Sequence, residues 1–575
     1  MSVRRDVFDV AGGFQTGLGR DGDNAAGCEE TEFFIRAKAT LPKQKIVYEP
    51  DASVRHHVTA VRCTWIYFLS RCCAEGKSKA AIVEIVGNKD GLSSENEFVF
   101  KVLPMAVYRN LVDALRGDIV GVARAIAIIA GLTTTAAAYF SARIGPKSGK
   151  SQEQDPFRPI EIIDWDLDKH ERASLLDCVR PAAFDGGAFC LLRSNGRPVG
   201  IKEVRINGMN RDCVDFTELE EFVPKSMNLR SLEIPSGQHK PWISAVIATR
   251  DRPNSLLRCI RSLLAQSYTA MDIIIVDNAP KSSATEDLIA NVFGGSEQVK
   301  YIREQRPGLS FAHNTGLARA QGEIVAFTDD DVVADPDWVA AIAVQFARSN
   351  TIGCVTGMIL PAELDTRAQY WTERHGGFGK GVVRRVFDLN DNRSTDPLFP
   401  YNAGTFGSGA NMAFRRDALS KIGTFDAALG AGTPARGGDD LASFVAIVEA
   451  GYQLVYEPNA IVWHFHRRTE AGIRKQAYGY GVGLGAYVTK QILENPRRLM
   501  IFARMLPAAL NHLVSDASEK MQRLPDDYPS DLIWRERFGI LMGPLGYFKG
   551  RYRVRRSGLT TDRLPALANL DTPAE

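Results

Sequence analysis

Three consecutive aspartates, Asp329, Asp330 and Asp331, follow the strand-like run Glu323–Thr328. Carboxylates this close together repel and raise one another's pKa unless a cation lies between them. At the carboxyl end of a buried parallel strand a divalent metal is a better partner than solvent, because hard oxygen ligands suit Mg²⁺ or Mn²⁺. Taken alone, the triplet fits a metal site and a solvated acidic turn about equally well.

Polar side chains also follow two neighbouring strands that the sequence predicts. Thr249, Arg250 and Asp251 come directly after one apolar run, and Asp277 comes directly after the next. In open α/β sheets, ligands bind at the carboxyl ends of the strands. Because Asp277 can accept a hydrogen bond from a base or a ribose, we expect a nucleotide here; capping of the next segment is the structural alternative.

Two further residues extend the candidate nucleotide site. Arg306 precedes a predicted helix that carries Asn314, and its guanidinium can meet a phosphate. The alternatives are a surface arginine and an asparagine that only braces a turn. The chain has no GxGxxG or GxxxxGK[ST] pattern, so neither the dinucleotide-binding nor the P-loop mode of phosphate binding applies.

A second acidic group follows a glycine-rich stretch at residues 407–409. Asp439 and Asp440 open a predicted helix, where acidic residues are common because of the helix dipole. The functional alternative is a general base that acts on an acceptor hydroxyl. Farther along, His464 and His466 follow another strand, and a neutral histidine can complete a metal site made of carboxylates.

The elements that must position these residues alternate between strand and helix from residue 240 onward. Short continuous apolar runs of this kind indicate strands that are buried on both faces. Alternation with helical segments predicts an α/β fold with a mostly parallel sheet and helices on both faces. The predicted strands are 242–249, 271–276, 298–304 and 323–328.

Composition sets broad limits on the other functions. The chain has 575 residues, a net charge of +2 and nine cysteines at irregular spacing. The near-neutral charge balance gives no reason to propose a nucleic-acid partner, and we expect none. The cysteine spacing favours reduced thiols in a cytoplasmic protein, and no signal peptide is visible at the N-terminus.

The composition changes along the chain predict five regions, with the site in the fourth. A hairpin signal at Ser194-Asn195-Gly196 marks the small β-containing module, and the last region is a helical extension. The regions are 1–145, a linker at 146–156, the β module at 157–238, the α/β domain at 240–480 and the extension at 481–575.

Part of the α/β domain is repeated near the start of the chain. Residues 4–14 match residues 415–425, and Glu29 and Glu30 correspond to the acid pair. His56 corresponds to His464, with order and spacing agreeing within one to three residues. Residues 1 to about 65 therefore look like the back half of the domain. We expect no separate active site there, because the acidic triplet has no counterpart.

Two segments are candidates for membrane contact. Residues 125–142 are uncharged and barely long enough to span a bilayer, and a buried or interfacial helix is the stronger interpretation. Residues 538–556 combine apolar residues, glycines and then arginines, which suits an anionic membrane face. A packed terminal helix fits the second segment equally well. The expected location is cytoplasmic, either in solution or at the inner face of the cell membrane.

Taken together, residues 242–468 resemble a family 2 glycosyltransferase of the GT-A fold. The resemblance lies in the Thr249–Asp251 opening, the Val276–Asn278 step, the Arg306–Gly316 run, the aspartate triplet and the acid pair. It implies an inverting transferase that uses a nucleoside-diphosphate sugar and a divalent metal, Mn²⁺ or Mg²⁺. The acceptor would be a glycan or lipid-linked hydroxyl in cell-surface or exopolysaccharide synthesis.

The same resemblance implies a role for each matched residue. It places the metal at Asp329 and Asp331, with His464 as a further ligand and His466 in reserve. Asp330 joins the residues that bind the donor nucleotide. Asp440 is the implied base, although Asp439 stands where the family usually has glutamate. Two other functions remain open: a nucleotidyltransferase on a similar sheet, and a non-catalytic glycan-binding or scaffold protein derived from a transferase.

Overall fold

The computed structural model describes residues 3–14, 29–41, 44–47, 49, 51–53, 62, 64–86, 102–118, 120–144, 157–168, 187–204, 232–234, 236–376, 378–514, 518–525 and 527–556. The chain forms two compact units, Met1–Glu153 and Gln154–Glu575. The predicted linker at 146–156 and His56 lie outside the described residues.

The first unit is helical in its described part. Phe33 is fully buried against the rings of Phe8 and Phe14, at centroid distances of 4.8 and 5.1 Å. Its helices are α1 Arg5–Ala11, α2 Glu29–Thr40, α3 Trp65–Val86, α4 Leu103–Leu115 and α5 Val120–Ile144. Within the described residues, one helical segment, Val120–Tyr139, is long and apolar enough to cross a membrane, and 17% of its most apolar window is buried.

The small β module contains the predicted hairpin. Strands β2 (Ala188–Ser194) and β3 (Arg197–Val204) pair antiparallel, and β1 (Glu161–Asp166) runs parallel to β2. Asn195 and Gly196 make the turn with φ angles of 51° and 75°, the left-handed values that suit a two-residue hairpin loop. The side chain of Arg193 in β2 forms a largely buried ion pair with Asp335, which connects the module to the larger domain.

A nine-stranded sheet forms the centre of the second unit. Its strands are β4 Ile243–Thr249, β5 Met271–Asn278, β6 Val299–Glu304, β7 Ile324–Asp329, β8 Val332–Ala334, β9 Ile352–Pro361, β10 Arg385–Phe387, β11 Asn411–Arg415 and β12 Gln453–His464. The order is β10-β12-β9-β11-β7-β4-β5-β6, with β8 paired to β12. The four strands β7-β4-β5-β6 are parallel, as predicted, whereas β11 pairs antiparallel with both of its neighbours.

Helices cover both faces of the sheet, as the apolar strand pattern predicts. Ala245 and Ile247 of β4 belong to one core cluster, and Val246 between them belongs to another. Alternate side chains therefore face opposite layers. The helices are α6 Pro253–Leu264, α7 Ala284–Phe293, α8 Leu309–Arg319, α9 Trp338–Arg348, α10 Arg367–Gly376, α11 Arg416–Ile422 and α12 Asp439–Glu449.

Four more helices complete the described chain: α13 Glu470–Glu494, α14 Arg498–Val514, α15 Glu519–Gln522 and α16 Ser530–Arg556. The predicted domain boundary at 480 falls inside α13, so the α/β domain and the extension share a continuous helix. Glycines allow α13 and α16 to pack backbone against backbone: a Cβ at Gly481 or at Gly543 would collide with the opposite main chain.

Candidate active site

The acidic triplet lies where the chain leaves one strand and enters another. Asp329 ends β7, and Val332 opens β8, which pairs with β12 so that His464 lies opposite Val332. One ligand atom each from Asp329, Asp331 and His464 lies within 4.8 Å of the others. The predicted metal ligands therefore converge in the structure, and two carboxylates with an imidazole suit a divalent transition metal.

The charges of the triplet are balanced by side chains. Burial and the nearby Asp331 raise the pKa of Asp329 to about 7. Burial acts in the same direction on Asp331, but His464 and Arg252 lower the pKa of Asp331 to about 2. Arg252 Nη1 lies 3.0 Å from both Asp330 Oδ1 and Asp331 Oδ2. A cation therefore already contacts the triplet.

Arg252 is a site residue that the sequence prediction missed. It follows Arg250 and Asp251, which were assigned to donor binding, but Arg250 is exposed and lies 3.8 Å from Asp251 as its ion-pair partner. Asp251 has a left-handed φ of 54° and accepts a hydrogen bond from the Lys281 backbone at 2.9 Å. The arginine two residues farther along reaches the acids instead.

A series of hydrogen bonds holds the imidazole of His464 on the side away from Asp331. His464 Nε2 faces Asp331 Oδ1 at 3.3 Å, and its Nδ1 lies 3.0 Å from Nδ1 of His466. His466 Nε2 lies 3.0 Å from Glu373 Oε2 on α10. The Phe378 ring stacks against both imidazoles. His466 is therefore placed to orient His464. Glu373 could not be identified from the sequence, because residues 361–400, which include α10, contain no recognised motif.

The nucleotide-binding candidates occupy the adjacent strand ends. Thr249 and Asp277 are directly opposite in the β4–β5 register, and Thr249 donates to Asp330 Oδ2 at 2.7 Å. Asp277 is fully buried, and Tyr301 donates to its Oδ2 at 3.1 Å. The other oxygen, Oδ1, is buried without a hydrogen bond of ordinary geometry to any described residue, although Thr285 is near enough to affect it. Burial raises the pKa of Asp277.

Arg306 and Asn314 are held by protein partners. Arg306 makes a two-pronged ion pair with Glu304 and lies over the Phe311 ring at 4.8 Å. Asn314 uses both ends of its amide on the backbone of Phe425, at 2.8 and 2.9 Å. The assignment of Asn314 to donor binding is therefore not supported by its geometry, which matches the alternative that it braces a turn. Arg306 keeps about two fifths of its side chain exposed beside the site.

The acid pair begins α12, as predicted, but its two members differ. Asp439 is buried, with its Oδ2 3.7 Å from His313 Nδ1, and burial together with Asp440 raises its pKa to about 7. Asp440 is partly exposed and accepts backbone hydrogen bonds from Gly409 and Leu441 at 2.9 and 2.8 Å. Burial also raises the pKa of Asp440. The glycine-rich stretch therefore anchors the Asp440 carboxylate at the start of α12.

The family model Glycosyl transferase family 2 matches residues 244–423. A glucosyl-dolichyl phosphate glucuronosyltransferase of Haloferax volcanii is 24% identical over 249 residues, 40% of this chain and 71% of that protein. An uncharacterized protein, y4gI, of Sinorhizobium fredii is 35% identical over 118 residues, which cover 20% of this chain and only 13% of that protein.

A solved structure gives a more distant similarity. It is the mannosyltransferase PcManGT from Pyrobaculum calidifontis in complex with GDP-Man and Mn²⁺, with 18% sequence identity and a TM-score of 0.34. The match covers 62% of this chain and 84% of that chain.

The family match spans the first sheet strand, the triplet and the glycine-rich stretch. The segment from residue 244 to residue 423 therefore belongs to glycosyl transferase family 2.

Proposed function

We propose that this protein is a metal-dependent, inverting glycosyltransferase that moves a sugar from a nucleoside diphosphate to a hydroxyl. The observation that carries the proposal is the convergence of Asp329, Asp331 and His464 within 4.8 Å, at the edge of the sheet where Asp277 keeps a buried oxygen without an ordinary hydrogen bond. A buried acceptor of this kind is costly unless a ligand supplies the donor. An N–H of a nucleotide base is a suitable donor.

The metal ligands in this proposal are Asp329, Asp331 and His464. Their donor set fits Mn²⁺ or Mg²⁺, and the Arg252 contact shows that the triplet accepts positive charge. A divalent ion bound there would stabilise the negative charge on the departing diphosphate. Thr249 holds the middle carboxylate, Asp330, away from that role by a hydrogen bond of 2.7 Å.

Asp440 acts as the general base, and Asp439 is the buried residue beside it. Asp440 is the more exposed of the two, and its raised pKa makes it a stronger base than an ordinary aspartate. Its carboxylate removes the proton from the acceptor hydroxyl, whose oxygen attacks the sugar carbon from the face opposite the diphosphate. One bond to the sugar forms as the bond to the diphosphate breaks, so the configuration inverts.

The acceptor in this proposal is a lipid-linked or glycan hydroxyl in cell-surface or exopolysaccharide synthesis, reached from the cytoplasmic side. The Haloferax relative, whose name includes a dolichyl phosphate, supports a lipid-linked acceptor. The apolar Val120–Tyr139 segment supports a location at the membrane.

A panel of nucleotide sugars with Mn²⁺ tests the activity through the nucleoside diphosphate released. We expect release from at least one donor, and loss of at least about a hundredfold in Asp329→Asn and in Asp440→Asn, because each removes a charge that acts in the transition state. Asp391→Asn, which changes an exposed aspartate elsewhere, is the matched control.

The products separate the alternative functions. Pyrophosphate in place of nucleoside diphosphate would identify a nucleotidyltransferase. A scaffold protein would release neither, and its function in cells would survive both aspartate substitutions. The anomeric configuration of the product, read by NMR, decides between inversion and retention.

A further inference from the structure

Helix α16 presents two different faces. One is lined with glycines and packs closely: a Cβ at Gly539, Gly543 or Gly550 would meet neighbouring main chain. The other bears five large apolar side chains whose exposed fractions run from 38% to 74%. They are Phe538, Leu541, Leu545, Phe548 and Tyr552, and we refer to them as the α16 stripe.

The spacing of the α16 stripe shows that it is one continuous surface. Successive members are three or four residues apart, which places them on a single side of a helix over about 20 Å. Isolated exposed apolar residues are common on protein surfaces, but a contiguous row of five marks an interaction site. The packed edge of α16 therefore accounts for only one side of this helix.

The charge around the α16 stripe indicates what covers it. Residues 537–556 contain arginine and lysine but no aspartate or glutamate. Lys549, Arg555 and Arg556 are exposed beside the stripe. A second copy of the chain placed against this face would bring cations against cations, which is unfavourable. An anionic surface is complementary to the cations, and a lipid bilayer also accepts the apolar row.

A second helix has the same character. Five large apolar residues of α14 are exposed, among them Leu499, Leu506 and Leu510, and residues 495–514 contain no acidic side chain. The two helices are joined where Arg537 of α16 donates to the Leu513 carbonyl at the end of α14. Helix α14 therefore carries a second set of exposed apolar residues without acidic side chains of its own.

We infer that the outward faces of α16 and α14 dock on an anionic lipid surface. The apolar side chains enter the boundary between headgroups and acyl chains, while the lysine and arginine side chains contact lipid phosphates. This inference does not depend on the proposed reaction, because no residue of the candidate site belongs to these faces.

Sedimentation of the full-length protein with vesicles tests the inference. We expect binding to phosphatidylcholine vesicles that contain phosphatidylglycerol, much weaker binding to phosphatidylcholine alone, and loss of binding at high salt. Lys549→Glu with Arg555→Glu should weaken binding by about tenfold or more. Arg261→Glu with Arg319→Glu, which reverses two exposed cations on other helices, is the matched control and should change binding little.

A second pair of variants tests the apolar contribution. Leu541→Ser with Phe548→Ser should weaken vesicle binding, whereas Val292→Ser, at an exposed valine of α7, should not. Circular dichroism and the melting temperature establish that each variant is folded. Equal binding to neutral and anionic vesicles would overturn the inference. Unchanged binding of both α16 variants would also overturn it, and would place the membrane contact elsewhere, such as α5. A concentration-dependent dimer without vesicle binding would instead assign the face to a second copy of the chain.

Discussion

Adjacent aspartates at the start of α12 have the same chemistry and different surroundings. Asp439 faces the buried, unprotonated imidazole of His313, whose pKa burial lowers to about 3, so no positive charge compensates an ionised Asp439. Asp440 is partly exposed and accepts two backbone hydrogen bonds, which stabilise its charged form. A buried carboxyl group without a cation prefers to keep its proton.

The titration of Asp439 predicts how stability depends on pH. Burial raises its folded-state pKa to about 7, above its ordinary value of 3.8. The contribution of Asp439 to the free energy of unfolding is therefore fully present below pH 3.8 and is lost as the pH rises through about 7. In metal-free protein, Asp439→Asn should therefore gain stability relative to wild type between pH 5 and pH 8, by on the order of 1 kcal/mol or more. Melting temperatures measured in chelator test this, and a difference that does not vary with pH would contradict it.

The hydrogen-bonded chain behind His464 predicts an effect on metal affinity. If Nε2 of His464 binds the metal, its Nδ1 carries the proton and donates to His466, which in turn donates to Glu373. Glu373→Gln should weaken Mn²⁺ binding by about tenfold to a hundredfold, because the outer carboxylate no longer fixes the imidazoles. Titration of free Mn²⁺ by electron paramagnetic resonance measures this without substrate. Asp365→Asn, at a half-exposed carboxylate nearby, is the control. Equal Mn²⁺ affinity in both variants would show that the hydrogen bonds from His464 through His466 to Glu373 have no role in metal binding.

Residues within sequence motifs were easier to predict than their supporting partners. The triplet and His464 were identified because unusual residue types occur at strand ends. Arg252, His466 as a support, and Glu373 depend on side-chain directions and on packing between distant segments, which local patterns do not contain. The contact of Asn314 with Phe425 could not be predicted for the same reason, since Phe425 lies far along the chain.

At the scale of elements, the contact between α13 and α16 predicts the effect of a single methyl group. Gly481→Ala would place a Cβ against the carbonyl of Glu536, so the helices must separate, at a cost of about 1–3 kcal/mol. Gly483 of the same helix lies against Gly438, which precedes the acid pair, so turnover should fall as well. Gly479→Ala is the control, because its nearest neighbour would be Arg436 Cβ at 3.9 Å. Equal melting temperatures for the two variants would contradict the prediction.

Strands with continuous apolar runs were predicted with nearly correct bounds. The parallel half, β7-β4-β5-β6, follows from those runs and the helices between them. The antiparallel β11 and the three-residue β8 were not predicted, because short segments carry too little periodicity and their pairing depends on partners that are distant in sequence. The predicted boundary at 480 divides helix α13, which runs without a break through its glycines.

At the scale of the whole molecule, the chain contains one candidate catalytic centre among its described residues. The partial copy stays a prediction; helices α1 and α11 both have seven residues, and each is followed by a glycine with positive φ, 79° and 86°. Phe14 and Phe425 follow these glycines at the same distance. The similarity concerns the segments that support the acid pair, and the metal triplet has no counterpart in it.

This asymmetry predicts that the first unit does not carry out catalysis. Replacing both Glu29 and Glu30 by alanine should leave the rate of nucleoside diphosphate release within about twofold of wild type, because the repeated segment matches only the back half of the domain, which does not include the triplet. The corresponding double substitution at Asp439 and Asp440 should abolish release. A comparable loss in both variants would indicate a second active centre.

The short passage from β7 to β8 has a consequence for the order in which the protein folds. Strands β4 to β7 are close in sequence and can pair early, whereas β12 must arrive from much later in the chain before β8 has a partner. Because His464 is the last residue of β12, the metal ligands come together only when that late pairing forms. In a refolding experiment, the appearance of Mn²⁺ affinity would therefore mark the closing of the sheet, after most secondary structure is already in place.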